Sequence, residues 1–214
     1  MPGHLPELPA RAGIGAGDVD TVVLTHLHED HNGWRVTADG APVFPDADHL
    51  VQRRETDALG EEDTATTHVV RPLREAGLLR QIDGRRRIPY GRAGSLTLVP
   101  TPGHTPGHQS VLAESGTRDV VITGDVLVHA VQLADPAVAY HYEADPATAA
   151  RSRRRLLEEA GERGALLATA HLRRAFVDAR EGLPAPVGAG RRMRRGGDPS
   201  PDPRPARYRP AATR

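Results

Sequence analysis

The stretch Thr25-His26-Leu27-His28-Glu29-Asp30-His31 packs three histidines and an aspartate into a few positions, directly behind the apolar run Val22-Val23-Leu24. A short, β-branched apolar run of this kind marks a buried strand, here from Asp20 to Thr25. Side chains two apart in an extended segment point the same way, so His26 and His28 can meet one cation. A turn into helix after His28 then carries Asp30 and His31 to a neighbouring point, where a second cation fits. Neutral imidazole and carboxylate are ligands that zinc, iron and manganese accept.

The same arrangement, an apolar run closed by a metal-capable side chain, recurs downstream. The alternating strand Ser95 to Val99 leads into Thr101-Pro102-Gly103-His104-Thr105-Pro106-Gly107-His108, where Gly and Pro build a tight loop able to hold a histidine rigidly. A strand from Asp119 to Thr123 ends in Thr123-Gly124-Asp125, and a last strand from Ala165 to Thr169 runs straight into Ala170-His171. A weaker strand is predicted at His49 to Gln52 and a further one at Val111 to Ala113. Helical spacing covers residues 4–12 and residues 64–76, the latter interrupted by Pro72. The pair Asp145-Pro146 is an N-cap acid followed by proline at the first helical position, opening a helix to about Ala160. That helix buries Ala149, Leu156, Leu157 and Ala160, and the run Arg153, Arg154 and Arg155 reads as its solvated face. Strands interspersed with helices indicate an α/β architecture.

These motifs, in this order, resemble those of the metallo-β-lactamase superfamily, and its lactonase branch in particular; the run His26 to His31 matches the signature H-x-H-x-D-H. The resemblance covers about residues 17–172 and implies an αβ/βα sandwich. It implies His26, His28 and His104 as ligands of a first metal, Asp30, His31 and His171 as ligands of a second, and Asp125 as the bridge. The cofactors are then two divalent ions, zinc first, with iron or manganese as alternatives. His108 is assigned to supporting the loop, because the family's ligand follows the first Pro-Gly pair. The implied activity is hydrolysis: a hydroxide shared by the two metals attacks the carbonyl of a lactone or other ester, and Asp30 and Asp125 serve as the catalytic carboxylates. Thioesters, phosphotriesters and β-lactams are the alternative substrates. The metal motif begins early, and nothing before Asp18 reads as a strand, so the first sheet is expected to be incomplete at its start. A shortened sheet exposes an edge and apolar faces, which leaves open a homodimer, or a catalytically silent or partner-dependent metal-binding fragment.

Trp34, Phe44, His129, Tyr140 and His141 are candidates to line a pocket; Trp34 and Phe44 also suit the core, and Tyr140 and His141 a loop surface. His4, His49, His68 and Glu29 are expected at the surface, and Asp20 or a backbone carbonyl is expected to anchor a ligand histidine.

Composition narrows the remaining classes. The 214 residues contain no cysteine, which excludes disulfides, Cys-zinc sites, iron–sulfur clusters and thiol catalysis. No run approaches the roughly 18 apolar residues of a membrane span. Met1 to Ala12 lacks the basic and apolar regions of a signal peptide, so a cytoplasmic location is expected. Lys+Arg and Asp+Glu balance at 28 each, yet residues 172–214 hold 11 Arg against 4 acids. Residues 1–180 are read as one domain, and 181–214, rich in Arg and Pro and free of apolar periodicity, as a disordered tail. That basic tail lacks interleaved aromatics, which argues against a nucleic-acid partner and leaves a small-molecule ester or lactone as the expected one.

Overall fold

The structure is a computed structural model and describes residues 7–32, 36–37, 40–90 and 94–181. His4, Trp34 and all of the expected tail beyond Glu181 lie outside the described residues. In chain order the elements are α1 (Glu7–Arg11), β1 (Thr21–Val23), α2 (Glu29–Asn32), β2 (Asp48–Gln52), α3 (Arg53–Asp57), α4 (Arg71–Glu75), β3 (Leu79–Ile82), β4 (Arg86–Tyr90) and β5 (Gly94–Pro100). They continue with β6 (Gln109–Glu114), β7 (Val120–Ile122), α5 (Val131–Ala134), α6 (Pro146–Arg163), β8 (Leu166–Ala168) and β9 (Phe176–Asp178).

Strands β1, β2 and β3 pair in parallel as one sheet. The second sheet runs β4-β5-β6-β7-β8-β9 and is antiparallel except where β7 meets β8, the pair whose connection contains α6. Strand alternation sorts neighbouring side chains to opposite layers. Leu50, Leu98 and Val111 meet between the sheets with Ile82. Their neighbours Val51, Val99 and Leu112 point outward: Val51 packs with Val69, Val70 and Leu73 of the helical segment outside the first sheet, and Val99 and Leu112 pack with Leu156, Leu157 and Ala160 of α6. Helix, sheet, sheet, helix is the αβ/βα sandwich that the motifs imply.

The three-stranded sheet covers only part of its partner. Val111, Ile122, Ala168 and Phe176 face one another in register across β6 to β9, and so share a face. Val111 is buried, whereas Ile122 is 43% and Phe176 57% exposed. Among the described residues β1 ends the first sheet, so the second sheet is bare beyond β6.

The sequence reading misses β3 and β4 and ends one strand early, at β8 instead of β9. β4 carries Arg86, Arg87 and Pro89, a composition that suits an edge strand, where a missing N–H costs no ladder bond. The helical segment around Pro72 is real but divided. Thr66–Val70 forms a widened turn in which the Arg71 N–H reaches back to Thr66, and Pro72 enters at the start of α4, where it is tolerated. His49 is fully buried rather than at the surface, its Nδ1 lying 2.9 Å from the Ala47 carbonyl.

Arg153 is the largest correction. It lies on the buried stripe of α6 with Ala149, Ser152, Leu156 and Ala160, and only Arg154 and Arg155 face solvent. Its Nε donates to the Val126 carbonyl (2.7 Å), Nη1 to those of Pro136 (2.7 Å) and Val138 (3.1 Å), and Nη2 pairs with Glu143. One guanidinium thereby ties the segment between Val126 and Glu143 to α6. Both partners are fully buried, so removing one strands the other. Arg153→Met is expected to cost about 3–5 kcal/mol of folding stability, read by urea unfolding.

Candidate metal centre

Each expected site residue sits just past a strand end. His26 and His28 follow β1, Asp30 and His31 lie in α2, His104 follows β5, Asp125 follows β7 and His171 follows β8. The structure brings all of them to one place. His26, His28 and His104 form one group, Asp30, His31 and His171 another, and His26, His31 and Asp125 a third that joins them; within each group the donor atoms lie within 4.8 Å of one another.

Asp125 stands at the centre, with its side chain almost wholly buried. Oδ1 lies 3.1 Å from His31 Nε2 and 3.2 Å from His171 Nε2, while Oδ2 lies 3.4 Å from His104 Nε2 and 3.9 Å from His26 Nε2. One carboxylate oxygen therefore faces each triad. His28 Nδ1 and His104 Nε2 meet at 3.0 Å, and His31 Nε2 and His171 Nε2 at 3.1 Å. Asp30 Oδ2 is 3.4 Å from His31 Nε2 and 3.6 Å from His171 Nε2. His26 Nε2 and Asp125 Oδ1 are buried without a hydrogen-bond partner among the described residues.

The electrostatics favour neutral imidazoles. Burial, reinforced by the surrounding histidines, holds His26 far below its ordinary value. Burial takes His104 down to about 4, against the opposing pull of Asp125. Burial raises the Asp125 carboxyl, but His31, His171 and His104 outweigh it and hold the group below its ordinary value.

His108 belongs to none of the three groups. It is fully buried, and its Nε2 accepts the Asp125 backbone N–H at 2.9 Å. That bond assigns the ring hydrogen to Nδ1, which donates to Thr101 Oγ1 (2.8 Å). Thr101 Oγ1 lies 3.0 Å from Ser110 Oγ, which donates to the Thr123 carbonyl (2.8 Å). The relay thus grips both ends of the Thr123-Gly124-Asp125 turn. Gly124 has φ +55°, and a Cβ there would come within 2.6 Å of His108 Nε2, so only glycine lets the turn sit against the ring. Asp20, by contrast, is exposed, and its carbonyl pairs with the Asp48 N–H.

A cavity of about 340 Å³ opens over the cluster, lined by Tyr140, Tyr142 and Glu29 together with His28, Asp30, His104, Asp125 and His171. Tyr140 is half-buried rather than free at a loop surface, and it stacks on His104 with centroids 6.2 Å apart. Burial, with Tyr142, Asp125 and Asp30 nearby, pushes its hydroxyl above the ordinary tyrosine value. His129 is exposed and touches the Tyr140 ring edge-on, His141 is exposed, and Phe44 is half-buried. Glu29 and His68 are exposed as expected. A second cavity of about 360 Å³, between α5 and residues 172–181, contains none of the clustered residues.

Acids and histidines gathered at strand ends over an αβ/βα sandwich define a metallo-β-lactamase type of protein. The superfamily profile matches residues 2–171, and the chain belongs to the metallo-beta-lactamase superfamily. Its likeness within that superfamily is to the lactonase-like branch. N-acyl homoserine lactonase AttM of Azorhizobium caulinodans is 41% identical over 107 residues, which is 47% of this chain and 38% of that protein. An N-acyl homoserine lactonase of a Bacillus species is 31% identical over 105 residues, 49% of this chain and 37% of that protein. A solved N-acyl homoserine lactone hydrolase, with the product N-hexanoyl-L-homoserine bound at its catalytic metal center, is 27% identical, with a TM-score of 0.61 over 78% of this chain and 61% of that one. AidC, a dizinc quorum-quenching lactonase, shares the fold at 23% identity and a TM-score of 0.66, over 82% of this chain and 65% of that one. The chain thus spans about two fifths of the length of the curated relatives it matches.

The depressed histidines fix the sign of an acid response. Below an ordinary value of 6.5 the unfolded chain takes up protons that folded His104 and His108 refuse until about pH 4 and about pH 3. Stability of the metal-free protein is therefore full above pH 6.5 and falls as the pH drops towards 3, a trend that urea unfolding across this range reads directly. The fall is expected to be shallower in His108→Gln.

Proposed function

We propose that this chain is a metal-dependent hydrolase that opens a lactone or related carboxylic ester, and that it holds two divalent cations. The observation that carries the reading is Asp125, which turns one oxygen to each histidine triad. In this reading His26, His28 and His104 hold one cation, Asp30, His31 and His171 hold the other, and Asp125 spans both. The donor set fits: burial keeps His26 and His104 neutral, and facing nitrogens about 3 Å apart can satisfy both lone pairs only through a shared hydrogen or a shared cation. Imidazole and carboxylate suit zinc, with iron or manganese as alternatives. When bound, such a pair supplies an activated water nucleophile and a Lewis acid for the carbonyl oxygen.

The chain's own residues do the rest. Tyr140, kept protonated and stacked beside His104, is placed to donate its O–H to oxygen on a substrate in the cavity. Asp30, whose side chain is 63% exposed, can carry a proton to the departing alkoxide. N-acyl homoserine lactones are the first substrates to test, since the relatives that match carry that activity in their names.

A second reading rests on the bare face at Ile122 and Phe176. There the site holds metal, but hydrolysis waits on further strands packing against this face, supplied by a second copy or another partner. Turnover by the isolated chain at the mass of a monomer excludes this reading; turnover confined to an associated form supports it.

Three outcomes test the leading reading. The purified protein should retain two equivalents of metal and hydrolyse at least one lactone in a panel that includes thioesters, phosphotriesters and β-lactams. Asp125→Ala should lose hydrolysis and one equivalent of metal, while His108→Ala should keep more metal than His104→Ala. Tyr140→Phe should lower kcat/KM about tenfold, the value of one hydrogen bond to a charged or developing oxygen.

A further inference from the structure

The two loops that carry the first histidine triad are tied to each other by a buried carboxylate outside the cluster. Glu55, in the first turn of α3, is 3% exposed. Its Oε1 accepts the backbone N–H of Leu27 at 3.0 Å, the residue between His26 and His28. Its Oε2 accepts the Thr105 hydroxyl at 2.6 Å and the Gly107 N–H at 2.9 Å, on the two residues that bracket Pro106 just after His104. The fit is close: a Cβ on Gly107 would come within 2.1 Å of the Glu55 nitrogen, so only glycine lets the histidine loop lie on α3. Leu27 is held from its other side as well, because Asn32 Nδ2 donates to its carbonyl at 2.8 Å.

We infer that Glu55 is a positioning residue that sets the geometry of the His26, His28 and His104 triad by bracing the backbones of both loops from beneath. The inference rests on the metal reading above and adds an asymmetry to it. Among the described residues, every donor to Glu55 lies on the two loops of the first triad. Asp30 and His31 lie on α2, and His171 follows β8, and neither element bonds to this carboxylate. Glu55 therefore acts on one metal position and spares the other.

A carboxylate is needed because it only accepts. Two backbone N–H groups and a hydroxyl converge on its oxygens, and a glutamine of the same size must turn an NH₂ towards at least one of those backbone donors. In Glu55→Gln that donor is left buried and unpaired, and the loop that bears it shifts to find a partner.

The test is metal binding by the full chain, stripped of metal and titrated with zinc against a chromophoric chelator, with thermal unfolding and the amide spectrum of the metal-free protein as controls. Wild type should take two equivalents. Glu55→Gln should take one with unchanged affinity and bind the other about 10- to 100-fold more weakly, the usual effect of losing a residue that orients a ligand. Thr105→Val, which removes only the hydroxyl donor, should show a smaller loss at the same position. In the metal-free spectrum, the Leu27 or Gly107 amide should exchange faster in Glu55→Gln than in wild type. Unchanged affinity for both equivalents, or equal weakening of both together with a fall in thermal stability, overturns the positioning role. A wild-type chain that binds no zinc overturns the metal reading itself, and the asymmetry with it; the amide exchange then still reports whether Glu55 braces the two loops.

Discussion

Imidazole nitrogens that meet at 3.0 Å, as those of His28 and His104 do, cannot both present lone pairs to each other without cost. The same conflict recurs at 3.1 Å between His31 and His171. A carboxylate that faces both pairs gives them a common neighbour but carries no hydrogen to share. A cluster of this kind is held in place by the surrounding fold. Strand ends, the brace beneath the loops and the relay behind Asp125 supply the constraint. What they hold together is a set of imidazole nitrogens and carboxylate oxygens converging on one place, the kind of ligand set a divalent cation requires.

The sandwich explains why these side chains can be so scattered in sequence. Strands that run in the same direction, side by side as β7 and β8 do or with one antiparallel strand between them as β5 and β7 do, bring their ends together from distant parts of the chain, and a short loop leaving each end reaches the common point. Four separate stretches contribute to the cluster, and each is short because the sheet beneath has already fixed its direction. The bare face beyond β6 shows that this convergence does not need the whole of the first sheet. The loops that matter are anchored on β1, β5, β7 and β8, all of which are paired.

Much of this was legible in the residues. The dense histidine run after an apolar strand, the Pro-Gly-His loop, the Thr-Gly-Asp turn and the Asp145-Pro146 helix start all carry local signals, and local signals survive folding. Asp145 does cap α6, accepting the Thr148 N–H. What was not legible depends on partners far away in sequence. Arg153 looks like one member of a basic run until the helix period is followed onto the buried stripe, and its carbonyl and carboxylate partners have no mark of their own. Glu55 sits in a charged stretch, Arg53-Arg54-Glu55, that reads as surface, and it is buried because of a glycine some fifty positions later. His49 lies in a strand whose alternation is blurred by burial on both faces. β3 and β4 are built from mixed polar and basic residues that only strand pairing explains.

The chain of bonds from the Asp125 amide through His108, Thr101 and Ser110 to the Thr123 carbonyl closes on the turn where it starts. Every hydrogen along it has a single direction, so no member can be exchanged for a group of opposite polarity unless its neighbour changes in the same step. The loop at 101–110 and the turn at 123–125 are therefore locked as one inherited unit. Variation in descendants of this chain is expected to come to those positions in pairs.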